Sequence, residues 1–403
     1  MDIMSIVKAA IFTPLRDGAT PEDVVWGLVL CLWGEPGIGK TARLEALFKQ
    51  FQFPTEVLSP GERGEGAFGV TPVPDGKVIS YPPPDWVAEV AGGGVVFIDE
   101  ATTCPPPLHP AIMGMLLARR VGGYKFGPRV RPMCAANPVE SSAGGWAMSA
   151  PEANRMGHLD VDDYFVDAEA WANWLLGSNV EDPTTFNFIE EEQRVLAEWD
   201  SPWAKTAGVL GGFIKARPEL LQKMPKPGSK DVARAWPSPR TWDMGARAWT
   251  SGAIHRLGTA EREQFLAAFV GSAAAQEFVA YLDKLDIGSP EDYLDGKLNF
   301  SHDSSRPDRT AAVLSACGAY LAKTSVERRR PRAAKLWAML GDKRIMDEAM
   351  DYGFLAAKRL VISNLHTMKE AYPVLQRMLP VLEAAGISYD PRKAAAATSG
   401  EDE

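Results

Sequence analysis

The sequence predicts an α/β P-loop core, a parallel sheet flanked by helices, followed by an all-α lid and a C-terminal helical domain. Three observations carry that reading. Gly34-Glu35-Pro36-Gly37-Ile38-Gly39-Lys40-Thr41 fits the phosphate-loop pattern G-x-x-x-x-G-K-[ST] at every position. The apolar run Val95-Val96-Phe97-Ile98 ends in two acids, Asp99-Glu100. From about residue 166 the alternation of strand-like and helical segments gives way to helical periodicity alone.

Each element has a local reason. Leu28-Val29-Leu30-Cys31-Leu32, between Trp26 and Trp33, reads as a buried strand, and Leu44, Leu47 and Phe48 follow the loop at helical spacing. Strand, glycine loop and helix form the context that phosphate binding needs, because glycines let successive N–H groups point at an anion at a helix N-terminus. Lys40 then reaches the terminal phosphates and Thr41 ligates Mg²⁺. The whole loop from Gly34 to Thr41, with Asp99, is therefore the candidate ATP site, and Thr41 and Asp99 the candidate Mg²⁺ ligands.

Between Ser59 and Val87 the chain makes a long connection in which two extended runs flank Asp75-Gly76, the signature of a β-hairpin. Val95–Glu100 reads as a buried strand delivering carboxylates at its C-terminal edge, where ligands bind doubly wound sheets. Asp99 suits the Mg²⁺ shell and Glu100 suits polarising a water, since phosphoryl transfer needs a positioned nucleophile and charge neutralisation. Arg119-Arg120 closes a helix before a glycine turn, and either arginine could reach a neighbouring subunit or simply answer the helix dipole. Pro132–Pro138 is a third strand ending in Asn137, whose amide can hydrogen-bond a terminal phosphate or the lytic water.

The helical half holds Ala168–Leu176 and Glu261–Leu285 as amphipathic stretches, a polar linker over 287–303, and helical spacing again over 308–386. The expected division is a core over 1–165 with the hairpin insert at about 59–87, a lid over 166–286, a helical domain over 287–390 and a disordered tail over 391–403. The basic run Glu327–Arg332 reads as a solvated helix junction.

Composition narrows the function. Net charge is −9, and nothing interleaves aromatics with dense lysine and arginine, so a nucleic-acid coat is disfavoured. Four cysteines without C-x-x-C spacing fit a reduced, cytoplasmic setting. No apolar run reaches membrane-spanning length, so no membrane partner is expected. The scattered histidines lack H-E-x-x-H, which argues against a zinc hydrolase.

In order and spacing, Gly34–Thr41, Val95–Glu100 and Asn137 resemble Walker A, Walker B and sensor 1 of AAA+ ATPases. Ala153-Asn154-Arg155-Met156 followed by His158-Leu159-Asp160-Val161 is similar to the arginine-finger segment of the MoxR-like, dynein-related branch, and Pro237-Ser238-Pro239-Arg240 to its sensor 2. The resemblance covers about residues 20 to 285. It implies catalytic roles for Glu100, Asn137, Arg155 and Arg240, with Arg155 acting on a neighbouring subunit's nucleotide. It also implies a homo-oligomeric ring, a hexamer, that remodels or matures a separate partner protein, of a kind often bearing a von Willebrand A-type domain. The hairpin over 59–87 resembles that branch's pore-facing insert. Two other readings compete: a nucleic-acid motor, against which the acidic charge weighs, and a nucleotide-gated scaffold, against which Glu100, Asn137 and Arg155 together weigh.

Overall fold

Five parallel strands carry the architecture: β1 (Leu30–Trp33), β2 (Thr55–Leu58), β3 (Gly94–Ile98), β4 (Val130–Ala136) and β5 (Gly157–Asp160). Their order across the sheet is β5-β1-β4-β3-β2. All four neighbouring pairs are parallel, so every C-terminal end lies along one edge. The computed structural model describes residues 3–16, 23–104, 107–138, 141, 147–176, 186–226, 228–285, 287–322 and 326–384. The tail expected over 391–403 lies outside these. Among the described residues no helix is long and apolar enough to cross a membrane.

β1, β3 and β4 are buried along their whole length, as strands covered on both faces must be. One face packs Val96, Ile98, Cys134 and Ala136 against Ile112, Met115 and Leu116 of α3 (His109–Ala118). The expected strand over residues 28–32 begins and ends slightly later, at Leu30 and Trp33. A short antiparallel ribbon, Val73–Asp75 with Val78–Ser80, turns at Gly76, whose φ of 61° lies in the left-handed region glycine tolerates. Its Val78 and Ile79 stand about two-thirds exposed.

The chain forms two compact units, one of residues 1–197 with 221–276, the other of 198–220 with 277–403. In the first, α1 (Ile3–Ile11) packs against the helices Pro239–Ile254 and Thr259–Val270. The long helical stretch expected up to Leu285 is in fact two helices, because Gly271 at φ 80° breaks it. In the second unit, the helix Pro307–Ala322 comes so close to Gly208 that a Cβ there would sit 2.8 Å from the Ala316 nitrogen. The segment read as a polar linker contains a capped helix, Pro290–Leu294, whose Tyr293 and Leu294 join that unit's core. Arg332, read as part of a solvated run, is buried and its guanidinium is bound to Asp295 and Glu291.

A buried ion pair secures the middle strand of the sheet. The Arg131 guanidinium on β4 meets the Glu192 carboxylate, both almost fully buried, while Arg129 reaches the same carboxylate at 2.9 Å. Arg131 also donates to the Ile11 carbonyl at 3.1 Å and lies over the Phe53 ring. Burial pushes its pKa down to about 10, against the opposing pull of Glu192. Removing one partner of such a pair strands a buried charge and costs about 3–5 kcal/mol. Glu192→Ala is therefore expected to lower the unfolding free energy of the first unit by that much, read from the denaturant midpoint of the tryptophan fluorescence transition, while an exposed first-unit control such as Glu45→Ala leaves it unchanged.

Candidate nucleotide site

The loop between β1 and α2 (Lys40–Gln50) has the backbone its pattern demands. Gly37 and Gly39 sit at φ 84° and 83°, left-handed conformations that a side chain would strain. Gly34 is constrained by space instead: a Cβ there would lie 2.6 Å from Ile38 Cδ1 and 3.1 Å from an Asp162 oxygen. No side chain caps the N-terminus of α2 and no acid lies in its first turn. Its free N–H groups and positive dipole end are thus left for an anion.

Lys40 is the hub. Its ammonium donates to the Gly34 carbonyl at 2.7 Å, the Glu35 carbonyl at 3.0 Å and Asn137 Oδ1 at 2.7 Å. Burial lowers its pKa, and the carboxylates of Asp99, Asp162, Glu100 and Glu35 pull the other way. The Thr41 hydroxyl donates to Asp99 Oδ2, and the second Asp99 oxygen accepts the Glu100 N–H at 2.9 Å. A hydroxyl and a carboxylate held together are the hard oxygen donors Mg²⁺ prefers, so these residues fit that ion. Among the described residues no group of three or more His, Cys, Asp or Glu side chains could hold a metal alone. A Mg²⁺ at Thr41 and Asp99 would take its remaining ligands from phosphate and water.

Glu100 follows at φ 53°, an uncommon conformation for a side-chain-bearing residue, with its carboxylate exposed. The turn is held by Thr103, which donates its N–H and hydroxyl to the Glu100 carbonyl, both at 2.9 Å. The structure thus brings Lys40, Thr41, Asp99, Glu100 and Asn137 to adjoining strand ends. The register explains this: Ala136 pairs with Trp33 and Cys134 with Ile98, so the residues after each strand emerge side by side.

Arg155 and Arg240 lie elsewhere in the first unit. Both guanidinium groups are exposed, and neither has a hydrogen bond or ion pair among the described residues. Arg155 sits in the turn after a short helix, α3 being followed by α4 (Ala150–Ala153), and just before β5. Arg240 occupies the first turn of α5 (Pro239–Ile254), where Ser238 caps the helix. Arg119 does not project outward. At φ 52° it ends α3 and donates to the carbonyls of Val130, Trp26 and Gly27 at 2.7–2.8 Å. Arg120 is exposed.

Sequence reasoning missed Asp162. Its carboxylate accepts the Glu35 N–H at 2.7 Å and so ties the loop to the segment just past β5. The rule that singled out Asp99, an acid just past a buried strand, applies equally to Asp162.

No protein-family model matches this chain, and no curated protein matches it. Among solved structures it is similar to a putative ATPase from Cytophaga hutchinsonii ATCC 33406, at 13% identity over 71% of this chain and 90% of that one, with a TM-score of 0.44. That likeness is loose, and the site is read from this chain's own residues. Lys40→Ala removes the hub cation of the loop. It is expected to weaken binding of a fluorescent ATP analogue at least tenfold, about 1.4 kcal/mol or more, measured by equilibrium titration.

Proposed function

We propose that this protein is a Mg²⁺-dependent ATPase of AAA+ type, in the MoxR-like branch, that works as a ring. The observation that carries the reading is the meeting of Lys40, Thr41, Asp99, Glu100 and Asn137 at one sheet edge. In this reading the loop amides and Lys40 hold the β- and γ-phosphates. Thr41 and Asp99 hold Mg²⁺, which when bound neutralises phosphate charge. Glu100 orients the attacking water, and the Asn137 amide, now on Lys40, lies within the same hydrogen-bonded cluster to meet the terminal phosphate or that water.

Arg155 supports the oligomeric part. A guanidinium displayed on a tight turn, exposed and bound to nothing among the described residues, is free to meet a group beyond them. Its planar fork matches the charge of a transferring phosphoryl group, and a neighbour's nucleotide would supply that charge. Arg240, a cation at a helix N-terminus where the dipole disfavours it, likewise suits a site that an anion visits. The exposed apolar ribbon at Val78 and Ile79 suits contact with a remodelled polypeptide. The partner would be a separate protein, with a von Willebrand A-type domain as the first candidate, and a hexamer is the ring size the resemblance implies.

The test is steady-state ATP hydrolysis. Glu100→Gln is expected to lower kcat by about 10²–10⁴ and Arg155→Ala by about 10³–10⁵, with ATP binding retained in both. Mixing the two inactive variants should restore turnover, because each supplies what the other lacks. Full activity in either single variant would defeat the mechanism.

A further inference from the structure

Arg155 stands on a tight turn. The Met156 N–H returns to the Ala153 carbonyl at 3.4 Å, so Asn154 and Arg155 are its two central residues. The Asn154 and Arg155 N–H groups also donate to the Ala150 and Glu152 carbonyls, both at 3.0 Å, which shapes the turn locally. A group that must reach across an interface also needs a position fixed relative to the rest of the fold, and that further restraint comes from a side chain three residues on.

His158 is 6% exposed and bridges two buried groups. Its Nε2 lies 2.9 Å from the same Ala153 carbonyl that closes the turn. Its Nδ1 lies 3.0 Å from the Trp33 indole nitrogen. A carbonyl only accepts and an indole N–H only donates, so the two partners dictate one tautomer: Nε2 carries the proton and Nδ1 accepts. Burial lowers the pKa to about 4, with Arg234 adding to the effect, so the ring is neutral as that tautomer requires. Trp33 is the last residue of β1, immediately before Gly34 of the phosphate loop. The Arg234 guanidinium covers the indole at 4.0 Å and pairs with Asp160 at 2.8 Å, which pins the ring further. The other central residue of the turn is tied as well: Asn154 accepts the Ser238 hydroxyl at 2.8 Å, at the cap of the helix that carries Arg240.

We propose that His158 is a positioning residue for Arg155: by bridging the Ala153 carbonyl and the Trp33 indole, it locks the turn that displays the arginine to the strand that carries the phosphate loop. The proposal rests on the reading that Arg155 serves a neighbouring subunit's site. The lock makes an arginine aimed at the neighbour move with the chain's own phosphate loop. Its outer face is reinforced by Asn154, which couples the same turn to the helix bearing Arg240.

The experiment isolates the arginine donor. A receiver chain with Arg155→Ala keeps its own loop and Glu100 but lacks the arginine. A donor chain with Glu100→Gln cannot turn over, yet presents Arg155. The mixture of these two should hydrolyse ATP. When the donor also carries His158→Phe, kcat of the mixture should fall about 100-fold, the cost of an ångström-scale misplacement, while KM of the receiver sites, ATP binding by the donor and co-purification of tagged donor with receiver stay unchanged. Trp33→Phe in the donor cuts the other end of the bridge and should act in the same direction, which keeps the test decisive should His158→Phe fail to fold. Undiminished turnover with both altered donors would overturn the proposal, as would loss of co-purification, which would make His158 an assembly residue. If the unaltered donor fails to rescue the receiver, the trans reading itself falls, and the proposal with it.

Discussion

The Lys40 ammonium is the interaction around which the rest is arranged. It joins the carbonyls of Gly34 and Glu35 to the Asn137 side chain, so one cation ties the loop after β1 to the end of β4. That bond exists only because the sheet is parallel and in this register. With Ala136 opposite Trp33, Asn137 and the phosphate loop emerge together, and with Cys134 opposite Ile98, Asp99 emerges beside them. A slip of one residue along β4 would turn Asn137 to the other face and leave Lys40 without it. The buried Arg131–Glu192 pair sits on the same strand, at the end away from the site. Breaking such a pair strands a buried charge, so the strand that carries it is costly to displace.

The site is also electrostatically crowded. Four carboxylates, those of Asp99, Asp162, Glu100 and Glu35, act on one lysine. Such a cluster favours a bound cation and opposes the effect of burial on Lys40, while the N–H groups of the loop are donors of the kind an anion needs. Glu100 has a left-handed backbone and stands exposed, while Asp99 accepts the Thr41 hydroxyl.

Much of this was legible in the sequence where the signal is local. The phosphate loop is written in residue types whose backbone freedom and charge act within eight positions, and Asp99-Glu100 follows an apolar run that can only be a buried strand. The helical half was legible as helices, but not their breaks: Gly271 divides what periodicity joins, and Pro290–Leu294 forms a helix where polarity suggested a linker. Arg119 shows the same limit from another side. Its place before a glycine turn was visible, but its three carbonyl partners come from Trp26, Gly27 and Val130, two of them roughly ninety residues earlier in the chain.

By itself the sequence determined that a loop of phosphate-binding pattern, a pair of strand-end acids and a strand-end asparagine exist in this chain, since each follows from short-range spacing and side-chain chemistry. Tertiary structure alone decided that Lys40 meets Asn137, that Asp162 ties the loop to the segment just past β5, and that His158 stands between Trp33 and the turn of Arg155. Those contacts join residues as far as 127 positions apart. Hydrogen bonds are fixed to within a few tenths of an ångström, whereas hydrophobic pattern specifies only which face of a strand is buried. The order in which five strands are laid side by side therefore settles the contacts that no spacing along the chain encodes.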